Sequence, residues 1–342
     1  MTASLFETRR MLRMLDQMLV PKTFLLDLFF SSVETSNEEN IDIDIIKGKR
    51  RLAPFVSPQL EGKPVERIGF TTRTYKPPYV KPKMVFDTSH LPDRMPGSTI
   101  YDAAGSPASR AAAQLAKDFA EMMDMIVRRE EWMAAQALNN GVITVTGEGV
   151  SDSIDFGMPA THKITLTSTD KWTDAASNPI ADLMAWRRRV AQSSGLVPNA
   201  AVVGANVVDA FLANEEAGKQ LDTRRADIGA IRVQELPSGA TYLGSLFSGG
   251  LDLYTYDEWY IDDAGNEQPM VPVNKVFLGS TRARTARHYG MIRDIEAGDA
   301  SVRWFPKSWV QPDPSARWTM LQSAPLVVPH QIDAFLTAQP ID

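Results

Sequence analysis

The side chains of this chain that could do chemistry are few, and their spacing argues against most chemistries. His90, His162, His288 and His330 stand far apart in sequence, with no pair at the helical spacing of metal ligands and no adjoining carboxylate cluster. They are expected to be ordinary packing or surface histidines. The Gly/Ser cluster "GSLFSGG" at 244–250 lacks the spacing of a serine nucleophile elbow. Gly147-Glu148-Gly149 opens a G-x-G but has neither a third glycine nor a following helix, so a hairpin turn is expected there. Gly218-Lys219 has no upstream glycine at phosphate-loop spacing. The run Asp262-Asp263-Ala264-Gly265-Asn266 could suggest calcium, but its spacing is wrong for an EF-hand and its flanks read as strands, so it predicts a turn. The basic runs Arg187–Arg189 and Arg224-Arg225 are too short for a nucleic-acid stripe. Cysteine is absent, which removes disulfides, iron–sulfur clusters, thiolate zinc sites and a cysteine nucleophile together and suits a reducing cytoplasm. The expectation is a chain with no catalytic, cofactor-binding or metal residues: not an enzyme, and in need of no cofactor.

The surrounding elements give a different kind of clue. With 342 residues, 44% hydrophobic and 23% charged, the chain can build a sizeable core. Its net charge of −6 opposes a role in coating DNA or membranes, both of which favour a positive surface. Near the start, Met11, Met14, Leu15 and Met18 share one helical face and predict an amphipathic arm helix. Lys22 and Asp27 interrupt the apolar residues that follow, so neither a signal peptide nor a membrane span is expected. In "NEENIDIDIIKGKR", Ile41, Ile43 and Ile45 alternate with Asp42 and Asp44, the period of a half-buried strand.

Charge then changes sign. From Lys47 to Lys83 there are ten Lys/Arg against two Glu, a local net of +8, together with six prolines. That composition forbids a helix and permits only edge strands, because proline removes ladder donors. "ERIGFTTRTY" still alternates enough for one arm of a long β-ribbon projecting from the body. Beyond it, Ser106-Pro107 reads as an N-cap followed by proline at the first helical position. Leu115, Phe119, Met122, Ile126, Met133 and Ala137 follow at helical spacing, up to a stop at Gly141. About 33 residues at roughly 1.5 Å each predict a rod of roughly 50 Å. The remainder reads as short strands, helices at "DLMAWRRRVAQSSG" (ending at Gly195) and within "NAAVVGANVVDAFLANEEAGKQL", a strand pair turning at Asp263–Asn266, and a tail with an apolar strand "APLVV" and a short terminal helix. The fold class is α+β, with no βαβ repeat.

This order of parts, with "YVKPKMVF" (79–86), "KQLDTRRA" (219–226), "VFLGSTRARTARHYG" (276–290), "FPKSWVQPDP" (305–314) and "WTMLQSAPLVV" (318–328), resembles the lambda-type major capsid proteins of tailed bacteriophages, which have the Hong Kong 97 capsid fold. The resemblance runs nearly end to end. It implies an N-terminal arm and first strand at 1–45 and an extended loop at 46–90 lying across a neighbouring subunit. A peripheral domain at 91–171 would carry the spine helix 107–140, an axial domain would occupy 172–298, and a return to the peripheral domain would span 299–342. It implies a structural protein of the virion shell, made in the host bacterial cytoplasm, whose partners are itself as hexamers and pentamers. A separate scaffold protein, a portal and a decoration protein are further implied partners, with only weak non-specific contact with packaged DNA and none with a membrane. An encapsulin-like nanocompartment shell, a soluble two-domain hydrolase and a DNA-binding structural protein are the alternatives. A ribbon with no core of its own is stable only when another surface completes it. A positive limb on an acidic body favours head-to-tail contacts that close into rings. Arg50, Arg51, Arg67, Arg73, Lys76 and Lys81 are therefore the expected intersubunit ion-pair residues, with Tyr75 and Tyr79 as aromatic anchors.

Overall fold

The computed structural model describes residues 6–46, 52–53, 55–62, 64, 70–86, 107–174, 176–214, 217, 234–236, 239–247, 250–298, 301–313 and 316–342. Five α-helices lie within them: α1 (Thr8–Gln17), α2 (Leu25–Phe29), α3 (Pro107–Asn140), α4 (Pro179–Ser194) and α5 (Ala205–Ala213).

The long rod is α3, 34 residues from Pro107. After that proline its sequence holds neither Gly nor Pro and is rich in Ala and Met, with Glu, Arg and Gln among the rest, all good helix formers. The cap expected at Ser106 lies outside the described residues. The far end stops at Gly141, whose φ of 68° is the left-handed conformation that closes a helix at low cost only with glycine. A Cβ there would sit 2.4 Å from Met158 Cβ, so the site excludes a side chain on steric grounds as well. The helix buries two successive faces. Its first half packs Leu115, Phe119, Met122 and Ile126 against Met11 and Leu15 of α1 and Leu321. The second half sends Met133, Ala134, Ala137 and Leu138 into the main core with Phe24, Phe29 and Phe335.

That core lies on one face of a seven-stranded sheet. In spatial order the strands are Lys163–Thr165, Phe335–Gln339, Val276–Gly279, Ala200–Val203, Leu251–Tyr256, Ala240–Leu246 and Gln234–Glu235. Successive side chains of a strand point to opposite faces, and here the two faces have different owners. Ala200, Val202, Phe277 and Phe335 face α2 and α3, whereas Ala201, Val203, Leu278 and Leu336 face α4 and α5 through Ile180, Leu183, Trp186, Val207 and Phe211. Covered on both sides, the central strands read as unbroken apolar runs such as "AAVV". Helix α4 is capped by the Asn178 side chain, which accepts from the Ala181 N–H at 3.0 Å, and it ends at Gly195 with φ 87°.

The mixed α+β class expected from sequence is observed, as are the arm helix, the rod, and a ribbon pairing Ile41–Ile46 with Phe70–Tyr75 in antiparallel register. The Glu148-Gly149 turn joins Val142–Gly147 to Val150–Asp155. Asp262 accepts the N–H groups of Ala264 (3.0 Å) and Asn266 (2.8 Å), an ordinary turn. One expectation fails: the tail is not a helix. After a single 3-10 turn at Ile332–Ala334, Phe335–Gln339 enters the large sheet between Val276–Gly279 and Lys163–Thr165. Two waiting ladder edges and opposed apolar pockets outweigh the local helical preference of "AFLTAQ".

Candidate functional site

The ribbon's root is built from residues singled out for their chemistry. Tyr75 donates its hydroxyl to the Asp155 carbonyl and packs edge-on against Phe156, with ring centroids 6.0 Å apart. Arg73 donates to the same carbonyl at 2.5 Å. Lys76 pairs with Glu39 at 2.7 Å, and Arg293 reaches the other carboxylate oxygen at 2.8 Å. The Lys76 hydrogen bond, with help from the Arg293 charge, holds the Glu39 carboxyl below its usual range. Tyr79 donates to the Met291 carbonyl at 2.8 Å and accepts from the Arg293 N–H at 3.3 Å. Lys81 lies over the Tyr79 ring, 4.6 Å from its centroid. Beyond this root, Val80 bridges to Ser323 and Lys83–Phe86 joins the sheet of Phe305–Gln311 and Ala316–Gln322.

All five described candidates, Arg73, Tyr75, Lys76, Tyr79 and Lys81, thus engage their own chain. Arg50, Arg51 and Arg67 lie outside the described residues. Further along the ribbon, Leu52, Phe55 and Leu60 are 96%, 106% and 70% exposed. Sequence reasoning passed over these apolar residues because the surrounding charge and proline dominated the segment. The available signal was three large apolar side chains in a stretch unable to bury them.

The expectation of isolated histidines needs correction in space, though not in sequence. His288 and His330, 42 positions apart, place their Nε2 atoms 3.0 Å from one another. The antiparallel pairing of Ala286–Tyr289 with Pro325–Val328 brings them together. His162 behaves as expected of a packing histidine: it is buried, with Nδ1 2.8 Å from the Phe335 carbonyl.

Two acidic residues on α3 were also missed. Glu131 is buried and accepts the N–H groups of Phe24 (3.0 Å), Leu25 (2.7 Å) and Leu26 (3.1 Å), closing the first turn of α2. Burial pushes its carboxyl up while those three bonds oppose the shift. Glu130 accepts from Tyr289 Oη and Arg303 Nη2, each at 2.9 Å. A cleft of about 340 Å³ is lined by Lys22, Asp124, Arg128, Glu131, Tyr256 and Glu258. Its Tyr256 hydroxyl is held far above the ordinary phenol range by burial and the Glu131 charge. Glu131, facing this cleft, is committed to the three backbone N–H groups of α2. Among the described residues no helix is long and apolar enough to cross a membrane.

Comparison with known proteins finds relatives along nearly the whole chain. Residues 7–339 match the family model described as phage major capsid protein E. The P21 prophage-derived major head protein of Escherichia coli CFT073 is 30% identical over 98% of this chain and 99% of its own length. The major capsid protein of Escherichia phage lambda is 28% identical over the same shares. Among solved structures, an E. coli CFT073 prophage protein described as a capsid protein superposes with a TM-score of 0.76 at 24% identity, covering 97% of this chain and 98% of the other.

Proposed function

The chain belongs to the phage major capsid protein E family, and from that membership we propose how its parts divide the work of building a shell. It is a structural major capsid protein, and such proteins assemble with their own copies into the icosahedral head shell of a phage. In our reading the ribbon, 46–90, is an extended loop that crosses a neighbouring copy. Helix α3 is the spine of a peripheral domain, 172–298 form an axial domain at capsomer centres, and 299–342 return to the peripheral domain. The copies group as hexamers and pentamers made in the host cytoplasm. A separate scaffold protein, a portal and a decoration protein complete the head, and contact with DNA is weak and non-specific. The chain itself performs no catalysis.

The observation that supports ribbon docking best is the exposure of Leu52, Phe55 and Leu60. Three large exposed apolar side chains within one short segment favour burial against another surface. A second copy is the occupant that shell formation supplies. The exposed ends of Arg73, Lys76 and Lys81, with Arg50, Arg51 and Arg67, then form rim ion pairs. Tyr75 and Tyr79 serve this docking indirectly by fixing the ribbon's root.

The test is the triple variant Leu52→Ser, Phe55→Ser, Leu60→Ser, chosen because exposed positions away from special features change stability by only about 0.5 kcal/mol. The expected product is a subunit of unchanged melting temperature that makes no closed shells by negative-stain electron microscopy. Normal shells in normal yield would overturn the docking role. Deleting 54–83 is a poorer experiment, since it removes Tyr75 and Tyr79 and the strand Phe70–Tyr75 along with the tip.

A further inference from the structure

The sheet of Val33–Thr35, Ala286–Tyr289 and Pro325–Val328 carries a side-chain cluster that the proposed ribbon docking does not use. Glu34 and His288 are directly opposite in the parallel ladder, and His330 follows the third strand by two residues. His288 and His330 are only 6% and 7% exposed, while the Glu34 side chain is 51% exposed. The two Nε2 atoms are 3.0 Å apart with ring planes inclined at 73°, and Glu34 Oε2 is 3.6 Å from His288 Nδ1. One ligand atom from each residue lies within 4.8 Å of those of the other two.

We propose that Glu34, His288 and His330 bind a zinc-class divalent transition metal ion. Such an ion takes imidazole nitrogens at about 2.0–2.1 Å and a carboxylate oxygen at about 2.0–2.2 Å in a tetrahedron, which sets neighbouring ligand atoms roughly 3.3 Å apart. The histidine pair, Nε2 to Nε2, is already near that spacing. An imidazole gives one ion a single nitrogen, and Glu34 meets His288 on its Nδ1 side, so with His288 bound through Nε2 the carboxylate has to turn towards the ion. The carboxylate comes from a side chain with room to turn, and its exposure leaves a route for a hydrated ion and a fourth position for water. Two imidazoles and one carboxylate are a borderline-soft donor set, suited to zinc, cobalt or nickel rather than to calcium or magnesium. The ligands come from three separated segments, so the ion clips the Val33–Thr35 strand to two strands near the other end of the chain. Metal binding then adds directly to folding stability, because the unfolded chain has no such site.

The experiment uses the full chain, as purified subunits and as shells. Cobalt(II), a spectroscopic stand-in for zinc, is titrated and followed by visible absorption, and zinc by equilibrium dialysis. One equivalent per chain with an intense four-coordinate cobalt spectrum is expected, displaced by zinc. Zinc should also raise the melting temperature of subunits. His330→Gln should abolish binding. Glu34→Gln, exposed and therefore safe for folding, should weaken it about ten-fold or more and remove the thermal shift. Absence of saturable binding, or binding and thermal shift undiminished in Glu34→Gln, overturns the proposal even if the histidine variant fails to fold.

Discussion

At His162 the ring is enclosed by the fold, and burial holds its pKa below the ordinary histidine value, with the Phe335 carbonyl and Asp333 opposing and Arg189 assisting. The unfolded chain therefore binds more protons than the folded one below about pH 6.5. The contribution of this ring to stability is complete above that pH and is lost as pH falls through the window beneath it, at up to about 1.4 kcal/mol per pH unit. Urea unfolding of subunits between pH 5 and 7.5 should show this slope, and His162→Gln should flatten it. An unchanged slope in the variant would place the titrating group elsewhere. Residue chemistry was the least legible level. Their types marked Tyr75 and Tyr79 as anchors and Lys76 as an ion-pair residue, but their partners, Asp155, Met291 and Glu39, are decided by where the chain returns. "RREEW" gives no hint that both glutamates are buried, one beneath α2 and the other against Arg303.

Among the elements, α3 was legible almost to the residue, because a 34-residue helix carries its own period and its own stop signal. That stop can be tested. Gly141→Ala must place a Cβ at positive φ and against Met158, and should destabilise by about 2–4 kcal/mol in chemical denaturation. Gly149→Ala is the matched comparison: its φ is 75° but the space around it is open, so only the backbone cost of about 1–2 kcal/mol is expected. Equal costs at the two sites would show that the Met158 contact contributes nothing. The last strand was illegible for the opposite reason. Five residues, Phe335–Gln339, carry too short a pattern to outvote local propensity, and their strand state exists only because two other strands flank the slot.

For the whole molecule, the Lys47–Lys83 limb of +8 sits on a remainder of about −14. If assembly uses that asymmetry, raising salt from about 0.1 to 1 M, which shortens the Debye length from about 10 to 3 Å, should slow shell formation several-fold at fixed protein concentration. Light scattering checks this, and a rate indifferent to salt would leave the apolar tip as the sole driver. Charge asymmetry, the proline-stiffened ribbon, the rod with its glycine stop and the α+β class all belong to the sequence, because each depends on neighbours within a few tens of residues. Tertiary structure alone decided the rest. It turned the candidate docking residues Tyr75 and Tyr79 inward and left Leu52, Phe55 and Leu60 outward. It also joined His288 to His330 across 42 positions and threaded the final strand into the large sheet. Those outcomes depend on which distant surfaces meet, and a linear pattern holds no record of that choice.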